Sequence, residues 1–147
     1  MTPLVRRYIK TSFVFLLAGL ALGGYIVVAQ FALDVTPPRL LTTAHAHLLL
    51  VGFMLMMVMG VATWMFPRPA REDTRYQPEL AEAVYWIMTG ATALRALAEI
   101  VVALTGILGL RALIALGGVG QLVGAALFAA NMWWRVRMPP AATPPAR

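Results

Sequence analysis

The chain has 147 residues, of which 61% are hydrophobic and only 12% are charged. Soluble proteins carry about twice that fraction of charged residues, so the composition excludes an ordinary soluble domain and indicates a membrane protein. The formal net charge of +6 comes from basic residues in short flanks between apolar runs, which argues against nucleic-acid binding. Because the chain has no cysteine, it has no disulfide, thiolate metal site, iron–sulfur cluster or c-type haem attachment.

Four apolar runs are each long enough to cross a bilayer as an α-helix. They lie at about residues 11–33, 40–66, 80–104 and 110–134. The sequence therefore predicts an all-α fold, a four-helix transmembrane bundle formed by residues 1–137. The first run is longer than the apolar core of a signal peptide, so we expect an uncleaved signal anchor. Residues 138–147 are rich in proline and alanine and are predicted to be a disordered tail.

The basic residues are distributed unevenly around these runs. The two connectors after the first and third runs hold one arginine each, Arg39 and Arg111. The N-terminal flank, the loop after the second run and the C-terminal end hold three each: Arg6, Arg7, Lys10, Arg68, Arg71, Arg75, Arg135, Arg137 and Arg147. The positive-inside rule then predicts that both termini and the middle loop are cytoplasmic.

The second run carries the only two histidines, His45 and His47. Histidine inside an apolar span usually has a function, because lipid offers the imidazole no hydrogen-bond partner. In the predicted orientation His45 lies on the order of 7 Å inside the outer end of its helix, so both histidines belong to the outer leaflet. Side chains two residues apart on a helix differ by about 200°, so the pair cannot chelate one ion together.

Three uses of these histidines are open from residue type alone. A neutral imidazole is a strong ligand for haem iron, and the apolar interior of a bundle suits a porphyrin. Copper and a structural hydrogen bond to a neighbouring helix are the alternatives. Gly52, two turns below His45, leaves a space where a flat macrocycle could lie, although small residues also let helices pack closely. The candidate metal ligands are His45 and His47, and Gly52 is a further candidate cofactor contact.

A second polar pair occurs in the third run, where Arg95 and Glu99 are four residues apart on one face and near the depth of the histidines. Two opposite charges in one helix reduce each other's cost of burial. Alternatively, Arg95 meets a buried anion such as a haem propionate through a bidentate contact, with Glu99 orienting it. The shared depth favours one polar site formed by both helices.

Small residues recur four apart in the first and fourth runs. The pairs are Gly19 with Gly23 and Gly120 with Gly124, and this spacing predicts close helix packing within the bundle or across a dimer. Gln121 on the fourth run and Asn131 near its end are candidates for hydrogen bonds between helices.

The stretch from Ala44 to Arg68, AHAHLLLVGFMLMMVMGVATWMFPR, resembles the second transmembrane helix of the catalytic subunit of haem-copper oxidases. The resemblance is greatest to the cbb3-type oxidases and the nitric oxide reductases, and paired His-x-His forms also occur in small relatives and in NnrS-like membrane proteins. It covers 25 of the 147 residues. The resemblance implies that His45 ligates a low-spin haem b near the outer face, with His47 as the second candidate.

A complete haem-copper oxidase needs further histidines and many more spans than this chain has, so no catalytic residue is predicted and oxygen reduction is not expected. We expect electron transfer or sensing of a gas (NO or O2) in the inner membrane of a bacterium or archaeon. The sixth iron ligand would come from a second copy in a homodimer, from Met88 or Met132, or the site would stay open for gas. A respiratory redox partner is also expected. The alternatives are a copper-binding membrane protein and a cofactor-free accessory subunit of a respiratory complex.

Overall fold

The computed structural model describes residues 1–66, 77–133 and 135–136. Within them the chain forms four long helices and no strand, and each helix is long and apolar enough to cross a membrane. They are α1 (Pro3–Phe31), α2 (Arg39–Met65), α3 (Pro78–Thr105) and α4 (Arg111–Trp133). The predicted all-α, four-helix membrane fold is confirmed. The predicted tail and the three arginines of the middle loop lie outside the described residues.

Helix α1 begins at Pro3, well before the predicted start at residue 11. Proline suits the first turn of a helix, and the Thr2 hydroxyl accepts a hydrogen bond from the Val5 amide at 3.4 Å. The basic residues of the N-terminal flank therefore lie within the helix. Charged residues limit the part of a helix that lies in lipid, but they do not end the helix.

Two short connections turn the chain at one end of the bundle. Between α1 and α2, Asp34 has a positive φ of 52°. Pro37 and Pro38 follow, and the two prolines disfavour helical conformation in the residues before them. After α3, Gly106 adopts the left-handed conformation (φ 69°) that glycine permits at a helix C-terminus. A short 3-10 turn, Leu108–Leu110, then leads into α4. We call this end the connector end, and the opposite end, where α2 ends and α3 begins, the loop end.

Helix α2 is not uniform. It is α-helical over Arg39–His47, π-helical over Leu48–Leu55 and α-helical again over Met56–Met65. The π-helical segment begins directly after His47, and such segments are rare and frequent at functional sites. The sequence did not predict it, because LLLVGFML contains only apolar residues and one glycine. A π-helical turn holds more residues than an α-helical turn, so the segment changes which side chains share a face of α2 below His47.

Helices α1 and α2 are antiparallel and approach closely at glycines. A side chain at Gly19 would meet Leu49, and one at Gly52 would meet Phe15. Towards the loop end, a Cβ at Gly60 would lie 2.8 Å from the Cβ of Tyr8. These contacts leave no room for larger residues, so the glycines set the distance between the helices.

The α3–α4 contact is built in the same way. A Cβ at Gly117 would lie 2.6 Å from the Arg95 Cβ, and one at Gly120 would lie 2.8 Å from the Ala91 Cβ. Gly124 faces the sulfur of Met88. The predicted use of the glycine pairs in packing within the bundle is thus confirmed. Helix α4 packs mainly on α3, so the bundle is open along one side of α4.

Polar contacts tie the helices together at the loop end. The Arg7 guanidinium binds both oxygens of Glu82, at 2.5 and 2.7 Å, joining α1 to α3. The Arg135 guanidinium donates to the carbonyl of Phe66, next to the end of α2. Asn131 bonds the backbone of Gln77 in both directions, at 3.0 and 3.1 Å, which holds the start of α3 against the end of α4.

Candidate functional site

His45 lies in the connector half of the bundle with its ring against α1. Its Nδ1 is 2.8 Å from the carbonyl oxygen of Gly19. Because a carbonyl only accepts, Nδ1 must carry the proton in this bond, and Nε2 keeps a free lone pair. A Cβ at Gly23 would lie 2.5 Å from the ring carbon Cε1, so this glycine provides the space in which the imidazole lies.

His47 points to the other side of α2, towards α3. Its Nδ1 is 3.2 Å from Oε2 of Glu99, a carboxylate that is fully buried. An ionised carboxylate also only accepts, so Nδ1 again carries the proton and Nε2 is again unprotonated in the neutral ring. As the two-residue spacing predicts, the histidines contact different helices and do not face one site together.

Glu99 connects this histidine to a network across three helices. Its Oε1 accepts a hydrogen bond from Nε of Arg95 at 3.1 Å. Arg95 in turn donates from Nη1 to Oε1 of Gln121 on α4, at 3.1 Å, and Gln121 donates to the Thr92 hydroxyl at 3.2 Å. The predicted polar site shared by the second and third helices therefore exists. It includes His47 but not His45, whose ring bonds to α1 instead.

Charge explains why the network is stable inside an apolar bundle. The Glu99 carboxylate is paired with the Arg95 guanidinium, and the His47 ring forms a second polar contact with the same carboxylate. Hydrogen bonds to the other polar atoms of a buried ion pair help to offset its cost of burial. Gln121 accepts such a bond from Nη1 of Arg95, as predicted for an interhelical polar residue. Thr92 was not singled out from the sequence, because a lone threonine in an apolar run has no distinguishing pattern.

Gly52, the candidate contact for a macrocycle, faces Phe15 on α1. A Cβ at Gly52 would lie 2.7 Å from both Cβ and Cγ of that phenylalanine. In this structure an aromatic side chain fills the space that the missing side chain leaves. The contact fits the close-packing alternative considered for this glycine.

The methionines considered as a sixth iron ligand lie far from His45. Met88 is eleven residues from Glu99 along α3, roughly 16 Å towards the loop end. Met132 lies at the loop end, in contact with Arg135. Neither thioether of this chain is therefore at the level of the histidines.

Within the described residues there is no group of three or more histidine, aspartate or glutamate side chains that could hold a metal ion. The two imidazoles contact different helices, so they do not form such a group together.

A groove of about 620 Å³ opens on the far side of the network, between α3, α4 and the start of α2. Arg95 and Arg111 line it, but neither histidine does. The assignment of Arg95 to a haem propionate stays a prediction, and the groove on which this guanidinium lies is a different place from the α1 face that holds His45.

No protein-family model, curated protein or solved structure matches the chain.

Proposed function

We propose that this chain is a membrane protein that binds haem b, with His45 as the axial iron ligand and His47 as the second candidate. The observation that carries the proposal is the hydrogen bond from Nδ1 of each ring to an acceptor on a neighbouring helix, which leaves each Nε2 lone pair available. Metal-binding histidines are typically oriented in this way, through the ring nitrogen that does not bind the metal. The resemblance of residues 44–68 to the haem-binding helix of haem-copper oxidases supports iron porphyrin as the ligand.

The residues around His45 would position the imidazole. The Gly19 carbonyl fixes the tautomer and the orientation of the ring, while the absent side chain of Gly23 lets the ring lie against α1. Around His47 the same role falls to Glu99, which Arg95 holds in place. When bound, haem supplies one-electron redox chemistry or an iron position for a diatomic gas, and electron transfer or gas sensing is the corresponding function.

A homodimer would complete the coordination if the haem is six-coordinate. Because Met88 and Met132 lie towards the loop end, the simplest second ligand is the same histidine of a second copy, and two-fold dimers are the commonest assembly. This arrangement predicts one haem per two chains. A five-coordinate, gas-binding haem predicts one haem per chain instead.

The cellular setting is part of the proposal. The excess of lysine and arginine at the termini and in the middle loop supports a multi-pass protein of a bacterial or archaeal inner membrane with both termini in the cytoplasm. In that orientation the connector end, with the histidines, faces the outside. A respiratory redox partner would then meet the protein on that side.

The test is the spectrum of protein expressed with added haem precursor and purified in detergent. The wild type is expected to show a Soret band and a reduced-minus-oxidised difference typical of haem b. His45→Ala is expected to lose the band, whereas His47→Ala keeps most of it. A wild-type protein that is colourless and takes up no added haem contradicts the proposal.

A cofactor-free accessory subunit is the second candidate, and one observation favours it. Both imidazoles already have a hydrogen bond within the chain, so each side chain has a structural use without a ligand. Co-purification with a larger complex, with no pigment in the separated subunit, supports this alternative. Metal analysis of the same samples tests whether the protein binds copper. A copper site would need imidazoles from more than one chain, because His45 and His47 face different helices.

A further inference from the structure

The groove beside α4 is apolar except for two arginines. Leu40 of α2 and Ile114, Val119 and Leu122 of α4 contribute apolar side chains to its 620 Å³. Arg111 lies at the start of α4 and Arg95 lies deeper, where its Nη1 would be 3.1 Å from a Cβ at Gly118. The groove thus runs from the connector end towards the middle of the bundle, with a cation at each level.

The positive charge in this groove is only partly offset. Arg95 uses Nε and Nη1 for Glu99 and Gln121, and no bond to Nη2 is formed by the described residues. Arg111 is exposed and makes no hydrogen bond or ion pair with any residue that the structure describes. Glu99 already binds Arg95 and His47, so the groove has one more cation than anion and attracts an anionic ligand.

We propose that this groove binds an acidic phospholipid, whose phosphate contacts Arg111 and the free edge of Arg95 while one acyl chain lies along α4. Guanidinium groups bind phosphate through paired hydrogen bonds, and basic pockets between transmembrane helices suit acidic headgroups. The groove is open to the surroundings of the bundle, which for a membrane-spanning chain are lipid. A water-soluble anion would not fill its apolar part.

The length of the groove agrees with an acyl chain. From Arg111 to Leu122 the axis of α4 rises by roughly 16 Å, about half the thickness of a bilayer's hydrocarbon core. The headgroup would therefore lie near one membrane surface and the chain would reach the bilayer centre. Neither histidine lines the groove, and the ring of His45 lies against α1, so lipid binding can be tested separately from haem binding at His45.

The first test is native mass spectrometry of the full-length protein in detergent with added dioleoylphosphatidylglycerol or dioleoylphosphatidylcholine. The anionic lipid is expected to bind more tightly. Arg111→Gln should weaken its binding about tenfold, the effect of losing one hydrogen bond to a charged group. Arg39→Gln is the matched control, because Arg39 is exposed at the same end but does not line the groove. Equal binding of both lipids, or equal losses in both variants, overturns the proposal.

A second pair of variants tests the position of the acyl chain without changing charge. Ala115 lines the groove, whereas Ala112 is exposed on the same helix outside it. Ala115→Phe should reduce phosphatidylglycerol binding several-fold, and Ala112→Phe should leave it unchanged. If Ala115→Phe binds the lipid as wild type does, the groove is not the site. Haem content measured in the same samples should not change, which separates this result from a failure of the haem proposal.

Discussion

At the loop end, Arg7 and Glu82 form a two-bonded ion pair whose side chains are 39% and 41% exposed. In the connector half, the Glu99 side chain is 0% exposed and binds both Arg95 and His47. The first pair lies within two turns of the starts of α1 and α3, where water and lipid headgroups can solvate it. The second lies about 9 Å inside the end of α3 at Thr105. The two ion pairs have similar compositions but differ in the free-energy cost of removing their charges from water. Only the buried pair therefore needs a reason to be retained.

The difference teaches where to look for function in an apolar bundle. Exposed pairs near helix ends are common and contribute little to stability. A buried pair that also binds a histidine and reaches a third helix through Gln121 depends on these hydrogen bonds to offset its cost of burial. Ionisable residues buried in an apolar span are therefore the first candidates for a functional site.

Removing Glu99 tests this contrast most strongly. Glu99→Leu leaves the Arg95 charge without its carboxylate and the Nδ1 proton of His47 without its acceptor, so we expect destabilisation by about 3–5 kcal/mol. Unfolding in mild detergent, followed by circular dichroism, measures it. The double variant Arg95→Met with Glu99→Leu removes both charges and should recover most of the loss. A single variant as stable as the wild type would show that the network is not formed.

A smaller effect is expected when the space for the His45 ring is filled. Gly23→Ala places a methyl group against Cε1 of the imidazole, and overpacking of this kind costs about 1–3 kcal/mol. The neighbouring Gly24 also lies in α1, and a Cβ there would have no neighbouring atom within 4 Å, so Gly24→Ala is the matched control. The thermal unfolding midpoint of Gly23→Ala should be lower than that of Gly24→Ala. Equal midpoints would mean that the ring does not lie on Gly23.

The smallest effect is expected at the loop end. Glu82→Gln removes the charge from a half-exposed pair and should change the free energy of unfolding by about 0–1 kcal/mol. At high salt the difference in unfolding free energy between Glu82→Gln and the wild type should be smaller still, because exposed charges are screened. A loss as large as that of Glu99→Leu would erase the distinction between the two ends.

The architecture could be predicted from the sequence because each apolar run that indicates a helix extends over many residues. Four apolar runs fix the number of helices, and proline and glycine mark the connections, including Pro37 and Gly106. Glycine spacing correctly indicated close packing along α1 and α4. The start of α1 was missed because its first turns carry basic residues, which a hydropathy argument assigns to a flank although they can remain helical.

The partners of the site residues could not be predicted in the same way. In lipid, outward-facing residues are as apolar as the core, so the sequence does not show which face of α2 meets α1 or α3. His45 forms its hydrogen bond with the backbone carbonyl of Gly19. Every residue has a backbone carbonyl, so the sequence does not mark this partner. The π-helical segment after His47 likewise leaves no trace in a purely apolar run.

We propose that His45, in the connector half, holds haem iron through Nε2. The most direct measurement is a titration of haem-depleted protein with haem, followed at the Soret band, for the wild type, His45→Ala and His47→Ala. We expect a saturable rise for the wild type and none for His45→Ala. A wild-type titration no different from that of His45→Ala would contradict the claim.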